Sequence, residues 1–414
     1  MADFGASDIE TFRAEARAWL AACYPAELKD GAKASDPEAI WGGRAFAGSG
    51  DPQIVWMRRM AERGWTAPTW PTEYGGGGLS SAQARVLDKE LAAGGYRTPL
   101  ASFGLWMLGP VLLEYATEAQ KREHLPKIAR GEIRWCQGYS EPGAGSDLAS
   151  LQTRCEAVSD PGGDHWLING QKVWTSYADR ADWCFCLVRT ATGKKHEGIS
   201  FVLIDMASDG VETRPIRLIS GDSPFCETFF TDVKIPKANM IGRLNGGWEI
   251  AKRLLQYERQ NISGGFGEGG GAGGSAGDLG QIAARYVGRD PSGALDDADL
   301  RERITRNKMD FQSFRLTLAR IAAESRVGNG PSAATSIVKY AAASLAQERS
   351  ELMVEAMGAQ GLGWEGEGFR PGEIVASRGW LRSKGNSIEG GTSEVNLNVV
   401  AKRVLGLPDP VVRT

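Results

Sequence analysis

The hydrophobic pattern of the chain changes twice along its length, and this alternation limits the folds that it can adopt. Up to about residue 148, apolar residues recur mainly at helical spacing. From about 150 to 240, short apolar runs separated by turn signals are typical of strands. Helical spacing then returns. The pattern predicts an α+β protein with an N-terminal helical domain (1–148), a central β domain (149–240) and a C-terminal helical bundle (241–414).

The central domain contains six apolar runs that we predict to be strands. They are residues 165–168, 171–174, 183–188, 199–204, 211–218 and 227–235. The first two flank Asn169-Gly170, a dipeptide that favours a two-residue turn, so a β-hairpin is predicted there. Cys184 and Cys186 fall on one face of the third run, which indicates core packing.

Length, charge and composition exclude several classes of protein. The chain has 414 residues, enough for roughly three domains at ~150 residues each. A net charge of −3 predicts neither nucleic-acid binding nor attraction to an anionic membrane. The longest uncharged region, between Arg97 and Glu114, contains Pro110 and is shorter than the ~20 residues of a membrane span. With no apolar signal core and six scattered cysteines, we expect a cytoplasmic location.

Several catalytic and cofactor motifs are also missing or misplaced. The three histidines have no partners at metal-ligand spacing, so no metal site is predicted. Two segments match G-x-G-x-x-G, at 265–270 and 361–366, but both follow helical patterns rather than strands. The motif binds a dinucleotide only between a strand and a helix, so we reject both. The first lies in the glycine-rich segment 264–277, which is predicted to be a mobile loop.

Five motifs together carry a family resemblance. WCQGYSEPGAGSD occupies 135–147, NGQKVWTS follows at 169–176, and FFTDVKIP, GGW and SIEGGTSEVNLNVVAKRVLGL occupy 229–236, 246–248 and 387–407. In sequence and order these segments resemble the acyl-CoA dehydrogenases, flavin enzymes that desaturate acyl-CoA thioesters. The resemblance runs from about residue 64 to residue 408 and agrees with the α-β-α order read from periodicity.

The resemblance implies FAD as cofactor and assigns residues to it. By motif match, Tyr139 and Ser140 would line the isoalloxazine ring, and Ser146 would lie near the cofactor and the substrate's pantetheine. Trp174 would cover the outer face of the ring and Ser176 would hydrogen-bond to it. Two further residues, Thr392 and Glu394, fall where the family contacts the FAD tail.

The catalytic base is less easily assigned. The family's reaction removes an α-proton, for which a desolvated carboxylate is a competent base, and a β-hydride, which the flavin accepts. Many members use the Glu of Tyr-Glu-Gly-Thr, but here alignment on Gly-Thr puts Glu389 at the Tyr position and Gly390 at the base position. Gly390 could still donate its backbone N–H to the thioester carbonyl.

A second group of members, acting on isovaleryl and some long-chain thioesters, carries the base in a Glu-Arg pair on a helix. The segment LLQYER at 254–259 fits that pattern. We therefore predict Glu258 as the base, with Arg259 near the thioester. Glu389, through a one-residue register shift, is the alternative, and a third possibility is that neither acts.

Two departures from the family concern contacts between subunits. The Arg-x-x-Phe-Gly segment that reaches a neighbour's FAD has no match, and ARYVG occupies that region at 284–288. Met357 stands where the Gln of Gln-x-x-Gly-Gly-x-Gly is expected. We therefore expect that the chain either holds FAD differently or pairs with a different subunit. The family resemblance implies a homotetramer, and a hetero-tetramer is the alternative.

Three functions are compatible with these observations. The first is an acyl-CoA dehydrogenase that passes electrons to an electron-transfer flavoprotein; Gly390 removes bulk beside the acyl chain and favours a branched or ring-bearing acyl group. The second is an FAD-binding partner subunit of a hetero-oligomeric dehydrogenase. The third is a related flavin oxidase or monooxygenase, in which the reduced flavin reacts with oxygen.

Overall fold

The computed structural model divides into two compact units, Met1–Ile216 with Pro224–Glu258, and Arg217–Ser223 with Arg259–Thr414. It describes the backbone of residues 6–29, 35–161, 163–265, 278–326 and 335–408. Side chains are described over the same ranges, except at 6–7, 258–265, 322, 325–326 and 335–336. Helices, then a sheet, then helices follow one another along the chain, which confirms the predicted α+β class. The division into three domains stays a prediction.

The first unit begins with five helices. They are α1 (Ala6–Cys23), α2 (Pro52–Glu62), α3 (Ser81–Ala93), α4 (Gly109–Tyr115) and α5 (Glu118–Ala129). Local sequence explains where two of them start. In α3 the Ser80 hydroxyl accepts from Gln83 N–H while the Gln83 side chain accepts from Ser80 N–H, and Thr117 and Gln120 do the same for α5. These reciprocal bonds satisfy donors that a helix start leaves free.

Eight strands form one mixed sheet after these helices. They are β1 (Trp135–Gly138), β2 (Arg154–Asp160), β3 (Gly163–Ser176), β4 (Trp183–Arg189), β5 (Ile199–Asp205), β6 (Val211–Ile216), β7 (Phe225–Pro236) and β8 (Met240–Ile241). Their order across the sheet is β6-β7-β3-β2-β4-β5-β8, and β1 pairs in parallel with β4. The predictions of β4, β5, β6 and β7 are confirmed.

Strand β4 separates two hydrophobic cores. Phe185 and Leu187 contact a core that includes residues of α4 and α5, whereas Cys184, Cys186 and Val188 pack into a second core on the opposite face of the sheet. Side chains alternate between faces along a strand, so a strand covered on both faces is apolar throughout. The two thiols are fully buried, which confirms their predicted packing role.

The predicted hairpin at Asn169-Gly170 is wrong. Both residues lie inside the continuous strand β3, and the chain reverses instead between Asp160 and Gly163. The β3–β7 register shifts between Ile168 and Gly170, which marks a bulge. Gly170 has a φ of +155°, and a Cβ there would lie 2.7 Å from the backbone of Thr153. The glycine therefore serves a close strand contact rather than a turn.

Helix α6 (Gly247–Gly265) follows the sheet, and five more helices among the described residues belong to the second unit. These are α7 (Leu279–Ala283), α8 (Ala298–Arg326), α9 (Thr335–Met357), α10 (Pro371–Ser383) and α11 (Ser393–Val399). Helices α8 and α9 pack against each other, with Phe314, Val338 and Ala342 buried together. No helix within the described ranges is both long enough and apolar enough to cross a membrane. The predicted mobile loop at 264–277 lies almost entirely outside the described residues.

Candidate functional site

The segment after β1 forms a closed turn that we call the signature loop (residues 139–147). Glu141 and Ala144 exchange two backbone hydrogen bonds, each 3.0 Å long, so the loop folds back on itself after only two intervening residues. Those two residues, Pro142 and Gly143, are exposed at its tip. Ser146, predicted near the cofactor and pantetheine, is also exposed. The tip of the loop is thus exposed to solvent, whereas the end of the loop next to β1 is buried.

At the end of the loop next to β1, Tyr139 and Ser140 are held in place by the sheet. The Tyr139 ring is buried edge-on against Phe185, with ring centres 6.2 Å apart. Ser140 is half-buried, and its carbonyl accepts a 2.9 Å hydrogen bond from Val173 N–H of β3. The structure therefore places both predicted flavin-lining residues beside the end of β3.

The end of β3 carries Trp174 in an unusual backbone conformation. Its φ is +61°, and the β3–β7 register shifts here between Lys172 and Thr175. A left-handed conformation costs a residue with a Cβ roughly 1–2 kcal/mol, and such strain concentrates at functional sites. The bulge leaves the indole 54% exposed, with one edge contact to Phe225. Ser176, two residues on, is half-buried.

A buried ion pair that sequence reasoning missed joins the signature loop to β3. Lys172 is fully buried, and its ammonium donates to the Tyr139 carbonyl at 3.2 Å and to Glu141 Oε1 at 2.7 Å. The Glu141 carboxylate also accepts from the backbone N–H groups of Gln152 and Thr153, at 2.6 and 2.9 Å. Burial favours a neutral carboxyl, but the ammonium and these donors outweigh it and hold the pKa of Glu141 below its ordinary value.

Helix α6 carries the predicted base and is anchored in the first unit over its N-terminal turns. Ile250 and Leu254 are buried in the core that the sheet shares with α4 and α5. On its outer side, Arg253 and the Tyr257 hydroxyl both donate to the carboxylate of Glu114 on α4. Burial, together with that hydrogen bond, raises the pKa of Tyr257 to about 12. The phenol therefore stays a donor at neutral pH.

Two predicted residues on this helix cannot be placed. Glu258 and Arg259 follow Tyr257 within α6, but their side chains lie outside the described residues. Their roles therefore stay predictions.

The C-terminal signature (residues 387–407) lies in the second unit and is much more exposed. Glu389, the alternative base, accepts a 2.7 Å hydrogen bond from the Arg382 guanidinium. Gly390 and Gly391 follow with left-handed φ values of +64° and +90°. A side chain at either position would be strained, so the position where many family members carry their base is here built for glycine.

The two predicted FAD-tail residues begin α11. The Thr392 hydroxyl caps the helix by accepting from Val395 N–H at 3.2 Å. Glu394 is exposed in the first turn, where its own backbone N–H and the Thr392 hydroxyl lower the pKa of its carboxyl. The cap satisfies a helix-start donor and so explains the local fold without any ligand.

The structure thus brings together Tyr139, Ser140 and Trp174 in the first unit, and Glu389, Gly390, Thr392 and Glu394 in the second.

Met357, where a Gln is expected, is a buried residue at the end of α9. The described residues contain no group of three or more histidine, cysteine, aspartate or glutamate side chains that could hold a metal ion.

Comparison with known families gives three consecutive matches. The chain matches "Acyl-CoA dehydrogenase, N-terminal domain" over residues 8–132, "Acyl-CoA dehydrogenase, middle domain" over 136–233 and "Acyl-CoA dehydrogenase, C-terminal domain" over 245–405. It is 36% identical to the acyl-CoA dehydrogenase IpdE1 of Mycolicibacterium smegmatis, over 98% of this chain and 99% of that protein.

Solved structures resemble the chain over its whole length. The ChsE4–ChsE5 complex of Mycobacterium tuberculosis matches with a TM-score of 0.71 and 28% identity, over 99% of this chain and 100% of that one. The Tcur3481–Tcur3483 steroid ACAD matches with a TM-score of 0.73 and 26% identity, over the same shares. The first of these structures is a complex of ChsE4 with ChsE5.

Proposed function

Because the chain belongs to the acyl-CoA dehydrogenase family, we propose that it desaturates the acyl group of a ring-bearing, steroid-type acyl-CoA between Cα and Cβ. The enzyme class and the FAD cofactor follow from the family. One observation carries the proposal for this chain: the Tyr139–Glu141 segment is bonded to the end of β3 beside the half-exposed Trp174.

The residues at that place fit a flavin. A large aromatic side chain turned out of the sheet on a strained backbone is suited to packing against a flat ring system. Half-buried hydroxyls of Ser140 and Ser176 lie on the two segments that meet there and can hydrogen-bond to polar ring edges. Bound at this place, FAD would accept the hydride that leaves Cβ.

Glu258 is the proposed base that takes the α-proton. It follows the buried Leu254 by four residues, and helical spacing puts positions 254 and 258 on the same side of α6. A carboxylate becomes a competent base for this weakly acidic proton when burial raises its pKa. By contrast, the carboxylate of Glu389 is half-exposed and engaged by Arg382.

Backbone and polar groups would hold the thioester during proton removal. Negative charge develops on the carbonyl oxygen, and the Gly390 N–H is the proposed donor to it. Ser146 and Arg259 are proposed to contact the pantetheine side of the substrate, as the family motif implies. Thr392 and Glu394 are proposed to contact the FAD tail.

Two observations support a ring-bearing acyl group. Gly390 and Gly391 supply no side chains where many members carry a glutamate, which leaves room for a wide substrate. A solved structure that matches this chain over 99% of its length is a steroid ACAD. We expect rings on the acyl group to be accepted and short straight chains to react slowly.

A second chain is the proposed partner in assembly, in a hetero-tetramer. One matching structure is a complex of ChsE4 with ChsE5, and another carries the joined name Tcur3481–Tcur3483. The sequence segments that reach a neighbour's FAD in the family are altered here. Most of the strongly exposed large apolar side chains among the described residues belong to the second unit. Such surface favours burial against another subunit. An electron-transfer flavoprotein is the proposed electron acceptor.

The visible spectrum of the purified chain tests the proposal. We expect flavin absorption that bleaches on anaerobic addition of a steroid-type acyl-CoA and returns on addition of an electron-transfer flavoprotein. A colourless chain that gains flavin only with a related second chain would make it the partner subunit. Reoxidation by air as fast as by the flavoprotein would indicate an oxidase instead, and bleaching by butyryl-CoA alone would contradict the ring-bearing substrate.

A further inference from the structure

The Lys172–Glu141 pair is poorly explained as a device for stability. Lys172 is fully buried and Glu141 is 8% exposed, so both charges have lost most of their water. Replacing such a pair by well-packed apolar residues is often neutral or stabilising, because desolvation offsets the attraction between the charges. The position of the ammonium against the signature loop gives a more specific reason for keeping a lysine.

The ammonium fixes a peptide group of the segment that is proposed to line the flavin. It donates to the carbonyl of Tyr139, whose peptide unit includes the N–H of Ser140. The next carbonyl, that of Ser140, accepts from Val173 N–H, the residue after Lys172. Two consecutive peptide groups are therefore oriented by two consecutive residues of β3. A cation at a peptide oxygen also polarises the N–H of the same unit and makes it a stronger donor.

We propose that Lys172 is a positioning residue for the flavin: its ammonium, balanced by Glu141, fixes the peptide between Tyr139 and Ser140 and strengthens the hydrogen bond which that peptide offers to FAD. The inference rests on the proposed function, in which this segment lines the flavin. Glu141 keeps the lysine charged in a buried place and, through Gln152 and Thr153, ties the loop to the chain before β2.

Two properties of the holoenzyme should report the loss of this contact. Without the Lys172 ammonium, the peptide between Tyr139 and Ser140 is neither fixed nor polarised, so Lys172→Met should weaken FAD binding by about tenfold. The reduced flavin carries more negative charge than the oxidised one, so strong hydrogen-bond donors stabilise it and raise the midpoint potential of the flavin. In Lys172→Met the donor is weaker, and the midpoint potential should therefore move to a more negative value. Both are measured on the full chain, by titrating the FAD-free protein with FAD and by equilibration with redox dyes.

A double variant separates positioning from stability. Lys172→Met with Glu141→Gln removes equal and opposite charges, so the long-range field changes little and no buried charge is left unpaired. The glutamine oxygen can still accept a backbone N–H. We expect the double variant to recover part of the thermal stability lost in Lys172→Met but to keep the weaker FAD binding and the shifted potential. Wild-type FAD affinity and potential in the double variant would overturn the proposal.

Two further variants complete the test. Lys234→Met removes an exposed lysine of β7 that pairs with Asp160 at 2.7 Å, and it should leave both flavin properties unchanged. Lys172→Gln retains a neutral donor and is the variant to use if the methionine forms unfold; it should shift both properties in the same direction by less. Unchanged values there would equally overturn the proposal.

The wild-type protein distinguishes this inference from the proposed function. A wild-type chain that binds FAD but is not bleached by any acyl-CoA contradicts the proposed reaction, while the two flavin properties still test Lys172. A wild-type chain that is bleached by thioester, together with a double variant that matches it in affinity and potential, contradicts only the inference.

Discussion

The two signatures of this chain are built in opposite ways. In the first unit, the signature loop is bonded to β3 at both Tyr139 and Ser140, and a buried ion pair joins its base to the sheet. In the second unit, the C-terminal signature exposes apolar side chains, with Ile388 66% and Leu405 63% accessible. One segment is fixed by contacts within its own unit. The other leaves surface of the kind that a cofactor or a second chain would cover.

The difference teaches where order in the site originates. If residues 139–141 line the flavin as proposed, little binding free energy is lost to ordering them, because they are fixed before the cofactor binds. A segment with exposed apolar residues gains its final environment only when something is buried against it. We therefore expect the first signature to respond to substitution as a protein core does, and the second to respond through assembly.

The largest expected effect on activity comes from substituting the two candidate bases one at a time. Glu258→Gln should reduce turnover by roughly 10²- to 10⁴-fold, because the amide cannot accept the α-proton, while FAD stays bound. Glu389→Gln should retain most activity. Stopped-flow reduction of the flavin by substrate measures both rates.

The control for this comparison is Glu249→Gln, an exposed carboxylate on the same helix paired only loosely with Arg243. It should behave like wild type. Loss of activity in Glu389→Gln, with full activity in Glu258→Gln, would move the base to the C-terminal signature.

A pair of alanine substitutions tests the contrast in packing. Leu151 follows the signature loop and is fully buried, so Leu151→Ala should destabilise the chain by about 2–5 kcal/mol. Leu405→Ala, in the exposed signature, should change stability by no more than about 0.5 kcal/mol. Urea unfolding of each variant, followed by circular dichroism, gives the comparison. Equal effects would mean that Leu405 is buried in the isolated chain.

Charge added to the exposed surface of the second unit should act on assembly. Leu362 and Val375 are strongly exposed, and Leu362→Glu with Val375→Glu should weaken subunit association at least about tenfold if a partner covers them. Sedimentation velocity at several concentrations measures this, with and without a related second chain. The thermal stability of the isolated chain should not change. An unaltered sedimentation pattern would place the subunit contact elsewhere.

The smallest expected effect is on the free energy of unfolding at acidic pH. Because the pKa of Glu141 is lowered in the folded chain, its contribution to stability is complete above the ordinary carboxyl value of about 4.3 and is lost as the pH falls through the lowered folded value. The Lys172→Met/Glu141→Gln double variant lacks this contribution. Its unfolding free energy should therefore decline less steeply than that of the wild type below about pH 4.3. Parallel pH profiles would mean that other carboxylates dominate acid unfolding.

Hydrophobic periodicity predicted much of the fold because the faces of a helix or strand that are buried determine which positions are apolar. Strand β4 is apolar throughout since both of its faces are covered, and its limits were recognisable from the sequence alone. The Asn169-Gly170 prediction failed because glycine has two uses that look alike in sequence. A left-handed turn and a close backbone approach both require the missing Cβ, and only the neighbouring Thr153 distinguishes them.

The sequence identified candidate residues of the site, but it did not predict the contacts that hold these residues in place. Motif match pointed to Tyr139, Ser140 and Trp174, which the structure places near one another, while their roles stay predictions. Lys172 was overlooked because a lysine inside a strand is ordinarily a solvated one. Its partner Glu141 lies 31 positions away, beyond the reach of any local spacing rule. The left-handed φ of Trp174 likewise depends on a register shift against β7.

That separation of 31 positions also has a kinetic consequence. We expect Lys172 to meet Glu141 only after the intervening β2 strand has paired with β3, because the pair closes a long loop whose entropy must be offset first. Neither charge can be buried early without its counterpart. The pair should therefore form after β2 has paired with β3, so a newly synthesised chain would build this hairpin before the proposed flavin-lining segment is fixed.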